Sequence, residues 1–137
     1  MKILIVDDNQ LVASVIQKML EFECYDVAIA HSGPEGYLAF LLFSPELVIT
    51  DIQMPGENGF ELMHRIRMHN PKVKTIYMSG NLEVFYTLIE DEAKRFQINL
   101  LGKPFSREEL IKKVSDFLYP LRNHGFSCEA FSNRSSI

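Results

Sequence analysis

The sequence predicts a single α/β domain built as a doubly wound, five-stranded parallel sheet with a helix after each strand. Three observations carry this prediction. Five short apolar runs are rich in β-branched residues, the segments between them have helical spacing, and each segment is long enough for a parallel crossover. Parallel strands covered on both faces read as continuous apolar runs, as these do.

Taken in order, the first run is Ile3 to Val6. Leu11, Val15 and Met19 follow, beside Val12, Ile16 and Leu20, an i, i+4 stripe that marks the first helix. Val27 to Ala30 is the second run, and a helix over Pro34 to Phe43 comes after it. Leu47 to Thr50 is the third; Phe60, Met63 and Arg67, beside Leu62 and Ile66, define the helix that follows. Thr75 to Met78 precedes a helix expected over Leu82 to Arg95, and Ile98 to Leu101 precedes one over Arg107 to Tyr119. From Pro120 onward the periodicity stops. The expected boundaries are therefore 1–119 for the domain and 120–137 for a flexible C-terminal tail, with Phe126 and Phe131 in a frayed terminus rather than docked.

Composition narrows the class. At 137 residues, 47% hydrophobic and 23% charged, the chain can bury one core without a disulfide or structural metal. Cys24 and Cys128 lack CxxC spacing and read as free thiols, which points to a reducing cytoplasm. The 18 acidic and 14 basic residues are interspersed, so no basic block is available to track nucleic-acid phosphates. The opening MKILIV is too short for a signal-peptide core, and Tyr37 to Phe43 is too short to span a bilayer, so no membrane association is expected. His31, His64, His69 and His124 show no ligand spacing and are assigned no role.

Ligands of open parallel sheets collect at the carboxyl ends of the strands, where the strand order reverses. The predicted strands run into Asp7 and Asp8, into Asp51, into Ser79 and Gly80, and into Lys103 and Pro104; the second offers only His31 and Ser32, which suits an edge. Three carboxylates at one rim repel one another unless a cation balances them. Magnesium takes oxygen ligands, keeps waters, and uses one or two carboxylates with phosphate oxygens. A lysine and a hydroxyl are suited to the remaining oxygens of a phosphoryl group, and a carboxylate can be the nucleophile of phosphoryl transfer. Each residue alone is ordinary: acids cap helices and turns, a Ser-Gly pair is a turn, and a lysine is usually solvated. Their coincidence at four strand ends is what the ordinary readings do not predict.

The runs ILIVDDN and DIQMPGENGFEL, the SG after the fourth strand and the KPF after the fifth resemble, in that order, the response-regulator receiver family of two-component signalling, including its chemotaxis receivers. The resemblance covers about residues 1 to 119 and implies a flavodoxin-like (βα)5 fold. It further implies that Asp51 is the phosphoacceptor, that Asp8 and Asp51 bind Mg2+ directly, with Mn2+ as a substitute, and that Asp7 acts through water. Gln53 would add its backbone carbonyl, with its side chain and Asn81 flanking the approach of water to the acyl phosphate. Ser79 and Lys103 would hold the phosphoryl group, and the Lys103–Pro104 peptide would be cis as is common in the family. Pro55 and Gly59 would shape the loop after Asp51 and open the next helix.

Two departures stand out. Leu100 occupies the position, three before the lysine, where the family usually carries an aromatic residue that swings inward on phosphorylation. Phe96 and Gln97 replace small residues, and the segment from Ser79 to Lys103 is slightly long, so the fourth helix is expected to be atypical. Phe85 and Tyr86 there are read as a partner surface or, for at least one of them, as core.

The leading expectation is a phosphoacceptor module that takes phosphate from a histidine kinase or phosphotransfer protein, assists its own phosphorylation and dephosphorylation, and acts by binding an output protein. A monomer is expected. The alternatives are a degenerate receiver serving as a phosphorylation-independent scaffold, and a magnesium-dependent aspartyl-phosphate phosphatase. Against the phosphatase, the position two beyond Asp51 is Gln53 where such enzymes place a general acid, and no cap segment encloses a substrate. No GxGxxG or GxxxxGK loop follows the first strand, which disfavours a nucleotide-binding fold.

Overall fold

The computed structural model describes residues 1–120; His124, Phe126, Cys128 and Phe131, and with them the expectation of a flexible tail, lie outside the described residues. Strands β1 (Lys2–Val6), β2 (Asp26–Ala30), β3 (Leu47–Asp51), β4 (Lys74–Ser79) and β5 (Ile98–Gly102) alternate with helices α1 (Gln10–Phe22), α2 (Gly33–Phe43), α3 (Gly59–His69), α4 (Tyr86–Ala93) and α5 (Arg107–Leu118). All strand pairs are parallel, in the order β2-β1-β3-β4-β5. The predicted doubly wound sheet is therefore the observed one, with β2 at an edge.

Alternation along the strands divides the core into two layers. Ile3, Ile5, Ile49, Ile76 and Met78 pack with Ala13, Ile16 and Leu20 of α1 and Leu110, Val114 and Leu118 of α5. Leu4, Val6, Val48 and Tyr77 pack on the other face with Phe40 of α2, Leu62, Met63 and Ile66 of α3, and Ile89 of α4. Register places Ile5 beside both Ile29 and Ile49, so β1 lies between β2 and β3. The chain leaves β1 in one direction and returns to the other side of it, which opens a crevice at the carboxyl ends of β1 and β3.

Four helices begin on a side-chain cap. Asn9 accepts from Val12, Ser32 from Glu35, and Asn58 with Glu61 and Ser106 with Glu109 form capping boxes. The fourth crossover has no such cap, and here the structure departs from expectation. In place of one helix over Leu82 to Arg95 there is a 3₁₀ turn, Leu82–Phe85, and the eight-residue α4. The uncapped start favours the tighter i, i+3 turn, which also puts Leu82 and Phe85 on one side, partly buried against the second layer. Phe85 thus belongs largely to the core, whereas Tyr86 is exposed.

The expectation of a free Cys24 is also corrected: Cys24 is disulfide-bonded. A disulfide is a relation between points brought together by the fold, and spacing along the chain does not encode it. A bonded Cys24 gives no indication of a reducing compartment. Among the described residues, no helix is long and apolar enough to cross a membrane.

Candidate functional site

The carboxyl ends of β1, β3, β4 and β5 bring the predicted residues to one rim. Asp7, directly after β1, is fully buried. Its backbone N–H donates to the Ala30 carbonyl at 3.1 Å, and its Oδ1 accepts from the Asn9 N–H at 2.9 Å. Its Oδ2 meets Lys103 Nζ at 3.0 Å. Asp8, next in the chain, is exposed at the crevice.

Asp51 is the last residue of β3 and only 9% exposed, with Oδ2 3.2 Å from Lys103 Nζ. The chain can turn here because of Gly59. A Cβ on that residue would come within 2.4 Å of the Asp51 carbonyl oxygen, so only glycine lets α3 start against the strand end. Gln53 is exposed in the following loop, where it lines an open cleft of about 470 Å³ with Met54, Pro55, Asn58 and Phe85.

Ser79 ends β4 and is almost fully buried; its Oγ accepts a hydrogen bond from the Asn81 N–H at 2.9 Å, and Asn81 itself is exposed. The Lys103 N–H donates to the Ser79 carbonyl at 2.8 Å, which ties the ends of β4 and β5 together. The Lys103–Pro104 peptide is cis. Leu100, in contrast, lies within β5, partly buried against the second layer and beside Tyr77 in register.

One ammonium faces three carboxylates. Oxygens of Asp7, Asp8 and Asp51 lie within 4.8 Å of one another. Burial is the main reason that the Asp51 carboxyl is pushed up to about 6; Lys103 opposes the shift and the charges of Asp7 and Asp8 add to it. Burial works against the charged form of Lys103 too, but its hydrogen bond to Asp7 and its attraction to Asp51 and Asp7 outweigh this and hold its pKa above the ordinary value. The donor set is all oxygen and its negative charge exceeds the positive, which is what a hard divalent cation requires.

Sequence reasoning missed several polar contacts, one at the rim and others away from it. His31, assigned no role, places Nδ1 3.1 Å from the Asp7 carbonyl oxygen. His69 likewise bonds, through Nε2, to the Tyr37 hydroxyl at 2.6 Å. Tyr77 lies on the same β4 alternation as Ser79, fully buried, with its hydroxyl donating to Glu92 Oε1 of α4 at 2.5 Å. That alternation was the available signal; its partner on α4 had none.

A family model described as the response regulator receiver domain matches residues 3–115. The chain belongs to this family. Among curated relatives, the uncharacterized transcriptional regulatory protein YkoG of Bacillus subtilis (strain 168) is 33% identical over 115 residues, covering 82% of this chain and 48% of that protein. The transcriptional regulatory protein TrcR of Mycobacterium tuberculosis is 28% identical over 119 residues, 85% of this chain and 45% of that one. The chain thus spans about half the length of these curated relatives. Among solved structures, the Francisella response regulator 1452 receiver domain superposes with a TM-score of 0.75 at 27% identity, over 88% of this chain and 98% of that one. Receiver domains are the phosphoacceptors of two-component signalling, bind Mg2+ in the acidic pocket, and interact with histidine kinases and output domains. The acidic pocket of this receiver fits such an ion by the chemistry of its donors.

Proposed function

We propose that this receiver accepts a phosphoryl group on Asp51 from a histidine kinase or phosphotransfer protein, in a Mg2+-dependent step, and signals by binding an output protein. The observation that carries this is the surroundings of Asp51: a nearly buried carboxylate at the end of the central strand, with oxygens of Asp7 and Asp8 within 4.8 Å and an ammonium at 3.2 Å. In-line positioning and charge neutralisation are most of what phosphoryl transfer asks of a protein.

In this reading an Asp51 oxygen bonds to phosphorus as the donor's phosphorus bond breaks. Lys103 and the Ser79 hydroxyl bind oxygens of the transferred group. Asp8, Asp51 and the Gln53 carbonyl would hold Mg2+ or Mn2+, which supplies neutralisation of phosphoryl charge. The engagement of both Asp7 oxygens, with Asn9 and Lys103, supports an indirect role for that residue. Gln53 and Asn81 flank the approach of water and tune the lifetime of the acyl phosphate. Residues 1–119 form the receiver and act as a monomer in the cytoplasm, without contacting nucleic acid or membrane.

The test is incubation with Mg2+ and acetyl phosphate, followed by intact mass, on wild type and Asp51→Asn. A single phosphoryl adduct on wild type alone is expected. An adduct on the variant, or none on wild type, overturns the reading.

A further inference from the structure

The segment from Leu82 to Ala93 packs on the domain through Ile89 and through the partly buried Leu82 and Phe85, the latter with its ring 5.9 Å from that of Phe60. The 3₁₀ turn has no fully buried residue and α4 has one, Ile89. Polar contacts to β4 add to this at both ends, with Arg67 of α3 joining the second. At the N-terminal end, Ser79 Oγ accepts the Asn81 N–H. At the C-terminal end, Glu92 is gripped in a part-buried polar network: its Oε1 accepts from the Tyr77 hydroxyl at 2.5 Å and from Arg67 NH1 at 2.7 Å. Arg67 NH2 meets Thr75 Oγ1 at 3.0 Å and the Tyr77 hydroxyl at 3.4 Å, and its guanidinium lies over the Phe96 ring at 4.4 Å. Thr75, Tyr77 and Ser79 share one face of β4, so both attachments hang from one row of side chains.

This network is not a closed, fully satisfied unit. Arg67 is buried, and among the described residues its Nε is without a hydrogen-bond partner. A buried ion pair adds little net stability against an apolar alternative, yet the network joins α3, β4 and α4 in one arrangement, and an unpaired buried group lowers what is lost when that arrangement opens.

We infer that Tyr77, Arg67 and Glu92 form a latch that opposes phosphorylation of Asp51 by holding α4 against β4, and that phosphorylation and latch opening favour each other. The inference rests on the reading of Asp51 given above. For its hydroxyl oxygen to move toward a phosphoryl group on Asp51, Ser79 must loosen its hold on Asn81, and the start of the segment then shifts. Glu92 resists that shift at the far end. Labelling proceeds from the open arrangement, so whatever releases Glu92 raises the population of that arrangement and with it the rate of reaction at Asp51. Tyr77, Arg67 and Glu92 are positioning residues here, since they act through Ser79 and the segment.

The experiment compares wild type, Tyr77→Phe and Glu92→Gln in two readouts: hydrogen exchange of Leu82–Ala93, and the rate of Asp51 labelling by acetyl phosphate with Mg2+, followed by intact mass. Both substitutions keep side-chain shape, and each checks the other. In wild type, labelling is expected to raise exchange across the segment. In both variants exchange is expected to be raised before any phosphodonor is added, to change little on labelling, and labelling itself to run at least about five-fold faster, in step with the larger open population. Variants with loosened segments but wild-type labelling rates would show a fixture without coupling and overturn the latch. So would variants indistinguishable from wild type, or a labelled wild type with an unchanged segment. Absence of labelling in wild type overturns the Asp51 reading, and the latch with it, even where the variants loosen the segment.

Discussion

Lys103 Nζ sits 3.2 Å from Asp51 Oδ2 and 3.0 Å from Asp7 Oδ2, bridging the ends of two neighbouring strands from a third. One ammonium cannot neutralise both carboxylates, and Asp8 adds a third. The rim is therefore an electrostatically costly place, and its cost can be measured.

The Asp51 carboxyl has an ordinary pKa of 3.8 and is pushed up to about 6 by burial. The folded state then holds this proton more tightly than the unfolded one. The contribution of Asp51 to stability is fully present below 3.8 and is lost as pH rises through about 6, leaving a penalty at neutral pH. Asp51→Asn is expected to stabilise the metal-free protein at pH 7.5 by about 1–3 kcal/mol, an advantage that fades to nothing near pH 4. Urea denaturation of both proteins across that range checks this, and a constant difference at all pH values would refute it. Added Mg2+ should shrink the advantage at pH 7.5.

Lys103→Met removes the counter-charge that, among the described residues, Asp7 and Asp51 share. Because Asp7 is fully buried, the expected loss at pH 7.5 is roughly 1–3 kcal/mol, together with slower labelling of Asp51. Lys112→Met breaks an exposed i, i+4 pair with Asp116 and should cost at most about 0.5 kcal/mol. Equal losses in the two variants would contradict the role assigned to the buried bridge.

Gly59→Ala is expected to destabilise by about 2–4 kcal/mol, since its Cβ would lie 2.4 Å from the Asp51 carbonyl oxygen and either the strand end or the start of α3 must yield. Gly56 has φ +76 but open space around it, so Gly56→Ala should cost only about 1 kcal/mol, from backbone strain. Thermal melts separate the two, and the Gly59 variant should also label poorly.

Asp8→Asn should weaken Mg2+ binding at least about ten-fold, read by calorimetric titration, while changing metal-free stability by less than about 0.5 kcal/mol because the side chain is exposed. Unchanged Mg2+ affinity would remove Asp8 from the ion's surroundings.

Much of this protein was legible in its sequence because the relevant signals are local. Burial on both faces of a parallel sheet wrote β1, β3 and β4 as apolar runs, and the functional rim followed from what stands at their ends: Asp7, Asp8, Asp51, Ser79 and Lys103. The capping residues Asn58 and Ser106, each with a glutamate three positions on, mark helix starts by the same local logic.

Other features required the tertiary structure. Leu100 read as a missing aromatic, yet β4–β5 register sets Tyr77 directly beside it, one strand inward and bonded to Glu92. Arg67 counted as one more position on a helical stripe, and is instead a buried guanidinium joining three elements. The bond at Cys24 and the break at Leu82–Phe85 likewise escaped spacing rules. The sequence by itself determined the elements, their order and the chemistry at the strand ends, because periodicity and capping act over a few residues. The fold alone decided which side chains meet across helices and strands, because those meetings depend on register and packing between segments far apart in the chain.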